Sequence, residues 1–212
     1  MFQSALFMEN KNYQEDLQHI RKMMEKSSRF ISLSGISGVF AGLFALAGAI
    51  YVYFFFKKNG VDYFEGTVKY YEKDFIVHLV IVAMIIMVLA ISSGAYFTIK
   101  KSKAHHLQIW DATTKKLLYN FAIPLGIGGL FCAGLLYHGL HGLLSPATLI
   151  FYGLALFNAG NYTFSDIKYL GLCEMALGIV SLFFLGYGLF FWAIGFGVLH
   201  IVYGIVMYKK YR

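Results

Sequence analysis

Along the chain, long apolar stretches alternate with short clusters of charge. Six stretches, at approximately 30–56, 75–99, 117–138, 143–160, 167–186 and 188–208, are continuously apolar rather than alternating residue by residue. Runs of about 20 apolar residues predict helices that cross a hydrocarbon core of roughly 30 Å, because lipid-exposed backbone must satisfy its hydrogen bonds within the segment. In the fourth stretch Ser145-Pro146 reads as a cap followed by proline at the first helical position, unless the helix already runs from Leu143. Short glycine-bearing links, Gly139 to Gly142 and Gly186-Tyr187-Gly188, predict tight antiparallel turns. The expected fold is therefore all-α: a polytopic transmembrane bundle of six helices arranged as three antiparallel hairpins.

Ahead of the first span, Tyr13, Leu17, Ile20 and Met24 fall at i, i+4, i+7 and i+11, with Glu15, Asp16, Lys22 and Glu25 around the rest of the wheel. That spacing predicts an amphipathic helix over 10–28, lying along the membrane interface or docking a partner. The expected organisation is a segment 1–28 with this helix, a transmembrane domain 29–208 and a basic tail 209–212. The first seven residues lack the charged start and small-residue cleavage site of a secretory signal, and Met8 is an alternative start.

Composition agrees with the pattern: of 212 residues 58% are hydrophobic and only 14% charged, which excludes a disordered chain and a disulfide scaffold. The charge distribution fixes an expected orientation. With the N-terminus inside, fourteen basic residues face the cytoplasm: Lys11, Arg21, Lys22, Lys26, Arg29, Lys100, Lys101, Lys103, Lys115, Lys116, Lys168, Lys209, Lys210 and Arg212. Four, Lys57, Lys58, Lys69 and Lys73, face outward, matched by Asp62, Glu65, Glu72 and Asp74. Cytoplasmic loops carry the excess of Lys and Arg, so both termini are expected inside, in a bacterial inner membrane. The expected partners are the lipid bilayer and anionic headgroups at the cytoplasmic face, with a homo-oligomer left open and no nucleic acid.

Outside the spans, Tyr63, Phe64, Tyr70 and Tyr71 give the loop 57–74 the composition of an interfacial aromatic belt. His105-His106 sits in a basic loop with Trp110 nearby, read either as a solvated loop or as a headgroup contact. Asn161-Tyr162-Thr163 matches a glycosylation sequon, expected to be unused on the cytoplasmic side. Cys132 and Cys173 fall inside spans and form no CxxC motif, so thiol chemistry has no support. Small residues crowd the spans; Ser34, Gly38 and Gly42 repeat every fourth position, as do Ala41, Ala45 and Ala49, which predicts close helix packing.

Chemistry narrows to two constellations. Glu174 is the one acidic residue within a span and His200 the one histidine deep in a span. With a turn at Tyr187 they lie thirteen residues before and after it, hence at similar depth. Each is flanked by glycine at −3 and +4, Gly171 and Gly178 on one side and Gly197 and Gly204 on the other, a spacing expected to clear the two facing surfaces. The pair reads as a structural pin, as a proton relay or polar centre of a transport path, or as a metal or haem site. The second constellation, His78, His138 and His141 at the outer boundary, is the candidate metal set, although no neighbouring carboxylate orients it. No nucleophile motif or nucleotide loop is found, so no catalytic residue and no cofactor is expected. The preferred reading is a non-enzymatic membrane protein moving a small solute or proton, or serving as a membrane stress or interaction component. The alternative is a metal- or haem-dependent membrane enzyme using these histidines.

The final hairpin, from Leu170-Gly171 to Tyr208, carries the pattern ALGIVSLFF followed by LFFWAIGFGVLHIVYGIVM. Over about forty residues it resembles the hairpin unit of the HdeD family of six-helix bacterial inner-membrane proteins. The resemblance implies a membrane-stress role without a defined reaction.

Overall fold

The computed structural model describes residues 34–60, 72–104 and 109–211. The amphipathic segment 10–28, the aromatic residues of the loop 57–74 and His105-His106 lie outside the described residues. All regular structure among the described residues is helical. In chain order it comprises α1 (Gly35–Lys58), α2 (Lys73–Ala104), α3 (Ala112–Tyr137), α4 (Leu144–Ala159) and α5 (Asp166–Leu182). The sixth helix, α6, is continuous but changes register: Gly188–Trp192 is α-helical, Ala193–Leu199 is π-helical and His200–Lys210 is α-helical again. Five helical stretches, Gly35–Lys58, Lys73–Ala104, Ala112–Tyr137, His141–Ala159 and Leu185–Lys210, are long and apolar enough to cross a membrane. At 17 residues α5 is shorter than the stretch 167–186 anticipated, because the chain leaves the helix at Leu182 and re-forms as a 3₁₀ turn at Leu185–Tyr187. The exposed surface of α2 and α3 is apolar, with Ile81, Met84, Ile85, Val88, Leu130 and Phe131 all more than half exposed. Apolar surface on this scale belongs in lipid, and the chain is an α-helical bundle built as an integral membrane protein.

Local chemistry sets the helix ends. At the start of α3 the Asp111 carboxylate accepts the backbone N–H of Thr114 and its hydroxyl, both at 2.7 Å. These two bonds hold the Asp111 carboxyl below its ordinary value. At the end of α3, Gly139 takes a φ of +70°, with its own N–H on Leu136 O and the Leu140 N–H on Leu135 O. This is a Schellman closure, and its left-handed residue favours glycine. The start of α4 follows the second of the two readings, with the chain helical ahead of Ser145-Pro146. A 3₁₀ turn over His141–Leu143 runs directly into the helix at Leu144, so Pro146 sits within the first turn and Ser145 is not the cap. The Ser145 hydroxyl donates instead to Gly188 O across the bundle, at 2.6 Å.

Glycines decide which helices touch. A Cβ at Gly153 would stand 2.6 Å from Gly171 O, and one at Gly171 would stand 2.6 Å from Gly153 O, so α4 and α5 pack backbone to backbone and antiparallel. The repeat of Gly38 and Gly42 on α1 meets Gly204 and Gly197 on α6 in the same way. The hairpins α1–α2 and α3–α4 pack within themselves, through contacts such as Phe40 on Phe97 and Phe131 on Phe151. The last two helices have their main contacts elsewhere: α5 lies along α4, and α6 lies along α1. This arrangement closes the bundle around α4, α5 and α6 and leaves α2 at the edge, packed chiefly on α1. One end of the bundle, the basic end, collects Lys101, Lys168, Lys209 and Lys210. There Lys210 Nζ bonds Asp166 at 2.8 Å, the Tyr211 hydroxyl donates to the same carboxylate at 2.6 Å, and the Tyr211 ring packs on Phe164.

Candidate functional site

Glu174 lies midway along α5 and is fully buried. Its Oε1 stands 3.4 Å from Nδ1 of His200, the first residue of α6 beyond the π segment. The structure thus brings the two intramembrane polar residues together, but by a route other than the matched glycines. Gly171 and Gly178 make room for α4, and Gly197 and Gly204 make room for α1. The residue that opens the space between α5 and α6 is Gly195, where a Cβ would stand 2.5 Å from Glu174 Oε2.

The π segment places the imidazole. His200 Nδ1 lies 3.0 Å from Gly195 O, five residues back, and a carbonyl only accepts, so Nδ1 carries a hydrogen. That assignment leaves Nε2 as the acceptor in the neutral ring, and the Tyr152 hydroxyl of α4 donates to it at 2.8 Å. The ring is further held by Phe196, stacked at 6.1 Å between centroids, and Phe196 in turn packs on Trp192. Glu174, His200 and Tyr152 are thus drawn together from three helices: Tyr152 hydrogen-bonds the imidazole, and Glu174 approaches the same ring at 3.4 Å. Among the described residues, neither carboxylate oxygen of Glu174 has a hydrogen-bond partner, and the Ser181 hydroxyl, two turns along the same helix, is buried without one as well.

Two consequences follow from the chemistry. The pair can hold its proton on the carboxyl or on the imidazole without changing the total charge in the lipid interior. Adding or removing a proton creates a net charge there, at a cost of several kcal/mol unless a partner or water compensates.

The other candidates are dispersed. His78 on α2 sits beside α1, its Nε2 2.9 Å from the Tyr51 hydroxyl and its ring stacked on Phe55. His138 caps the C-terminus of α3 with its ring against Tyr137, while His141 opens the 3₁₀ turn and lines a cavity. Among the described residues no group of three His, Cys, Asp or Glu side chains is placed to hold a metal ion. Cys132 and Cys173 are free thiols. Thr163 of the sequon is almost wholly buried at the basic end, in the turn between α4 and α5.

Tyr152 is the member of the site that the sequence reading missed. Among 16 tyrosines it carries no distinguishing motif. Depth arithmetic does find it: Tyr152 lies eight residues before Gly160 and Glu174 eight after Asp166, which puts both level across the α4–α5 turn. No family model, curated protein or solved structure matches this chain.

Proposed function

We propose that the protein handles protons within the membrane at the Tyr152–His200–Glu174 set, as a non-enzymatic component of a bacterial inner membrane with both termini cytoplasmic. The observation that carries this reading is the fully buried Glu174 carboxyl, 3.4 Å from an imidazole and otherwise unsatisfied. A pin selected for stability alone would be expected to have its oxygens paired, since an unpaired buried acceptor costs about 1–3 kcal/mol. A group that takes up and releases a proton has a reason to stay incompletely paired. The surrounding side chains supply the other steps: a proton taken up at His200 Nε2, on the Tyr152 side, releases the one on Nδ1 to an ionised Glu174, and the ring returns to neutral. Whether the proton drives a solute or reports pH to a membrane-stress response, the same residues bear it. The reading in which His78, His138 and His141 jointly hold a metal gains no support from their separate positions.

Infrared difference spectroscopy of the purified protein, stepped in pH, tests the proposal directly. The expected result is a protonated-carboxyl band that titrates and disappears in Glu174→Gln, together with a shift of its titration in Tyr152→Phe. In vesicles loaded with a pH dye, Glu174→Gln should abolish any proton flux the parent supports. An absence of any Glu174-dependent titration would make the pair a pin and end the proposal.

A further inference from the structure

α2 packs chiefly on α1, and between it and the inner helices lies a cavity of about 390 Å³. Its size falls within the range of small-molecule sites. The walls run along α1 from Gly48 to Phe56 and along α2 from Ile76 to Met87, with Trp192 of α6 facing them. It therefore occupies the half of the bundle away from the basic end. The twelve residues of α2 from Ile76 to Met87, eleven rises of 1.5 Å, span about 16 Å. One leaflet's share of the hydrocarbon core is about 15 Å, so the cavity has the length of one leaflet and ends near mid-depth.

Polarity along the cavity is graded. The deep part is apolar and includes Met84 and Met87, whose unbranched side chains adapt to a flexible occupant. His141, Ser145 and Thr148 line it toward the interface. Both hydroxyl hydrogens are already committed, Ser145 to Gly188 O at 2.6 Å and Thr148 to Ser145 O at 2.9 Å. What the two hydroxyls can still offer is therefore lone pairs, which suit a neutral hydrogen-bond donor, and no Lys or Arg is among the described residues that line the cavity to hold an anion.

We infer that this cavity is a binding site for a single-chain neutral lipid with a hydroxyl head, such as a monoacylglycerol, entering sideways from the leaflet opposite the basic end. The chain lies between α2 and α6 with its tail at Met87, and the head donates to Ser145 and Thr148. The inference stands independently of the proton reading.

Trp192 reports occupancy, since the chain has two tryptophans and Trp110→Phe leaves it as the sole indole. The Trp110→Phe protein in detergent is titrated with a monoacylglycerol brominated in mid-chain, which quenches an indole on contact. The expected result is saturable quenching that unbrominated monoacylglycerol reverses. Ala83, exposed on α2 and lining the cavity, becomes a plug when changed to phenylalanine. Ala83→Phe should weaken the apparent affinity roughly tenfold, or about 1.4 kcal/mol. Thr148→Val provides a second route should the plug impair folding: it should weaken the brominated monoacylglycerol and leave a brominated alkane unchanged. Quenching that rises linearly with every brominated lipid, including an anionic one, would overturn the site as mere bulk contact. A change of oligomeric state in Ala83→Phe, read by sizing, would equally overturn it by making the cavity a seam between two copies.

Discussion

At the scale of single residues, the bundle contains polar groups whose removal separates function from stability. Glu174 is the sharpest case. Its oxygens are buried and poorly satisfied, and replacing an unsatisfied buried polar group by an apolar one of similar size is often neutral or stabilising. Glu174→Leu is therefore expected to melt at or above the parent temperature in detergent while losing every Glu174-dependent proton signal. A clear drop in melting temperature would instead assign the carboxyl a structural role. Tyr203 follows the same logic, since its hydroxyl is shielded and has no partner among the described residues. Tyr203→Phe should leave thermal stability unchanged or slightly raised. Asp111 is the opposite case, a polar group whose bonds stabilise the fold. Asp111→Ala should cost about 1 kcal/mol at neutral pH. Because its folded carboxyl titrates below the unfolded one, this contribution is complete above the unfolded value of roughly 3.9 and is lost as pH falls through the folded value. Melting curves of parent and variant should therefore converge in acid.

At the scale of elements, glycine position rather than glycine number decides packing. A Cβ at Gly153 meets the backbone of α5, whereas one at Gly129 on α3 meets nothing within 4 Å among the described residues. Gly153→Ala should thus lose about 1–3 kcal/mol through forced separation of α4 and α5. Gly129→Ala should gain up to about 1 kcal/mol of helix propensity, and paired thermal melts check both. The same contrast explains what was readable in the sequence. Helix number and approximate limits follow from hydropathy and length alone, and the equal depth of Glu174 and His200 follows from counting. Interhelical partners do not follow, because the glycine spacing around Glu174 is satisfied equally well by α4 or α6, and only three-dimensional packing selects α4. The π segment Ala193–Leu199 was also invisible. Its one-residue register change leaves the hydrophobic pattern intact because every residue in it is apolar or glycine. Yet that segment sets His200 against Gly195 O and aims Nε2 at Tyr152.

At the scale of the whole molecule, the even number of described helices puts the start of α1 and the end of α6 at one end, together with the turns after α2 and α4. The contact of Lys101 Nζ with Tyr211 O at 3.5 Å and the packing of Phe164 on Tyr211 join three of these segments physically. The basic residues collected there predict which side that end occupies, since translocating an excess of Lys and Arg is disfavoured. Cysteine accessibility decides the matter in intact cells. In a background with Cys132 and Cys173 replaced by alanine, Asn59→Cys reports the end of α1 and Asn161→Cys the turn between α4 and α5; both positions are exposed. A membrane-impermeant maleimide should label Asn59→Cys in intact cells and Asn161→Cys only after the membrane is opened. The reverse pattern would place the basic end outside. It would also move the sequon at Asn161 to the glycosylation-competent side and transfer the proposed lipid cavity to the inner leaflet, since the cavity is tied to the opposite end of the bundle.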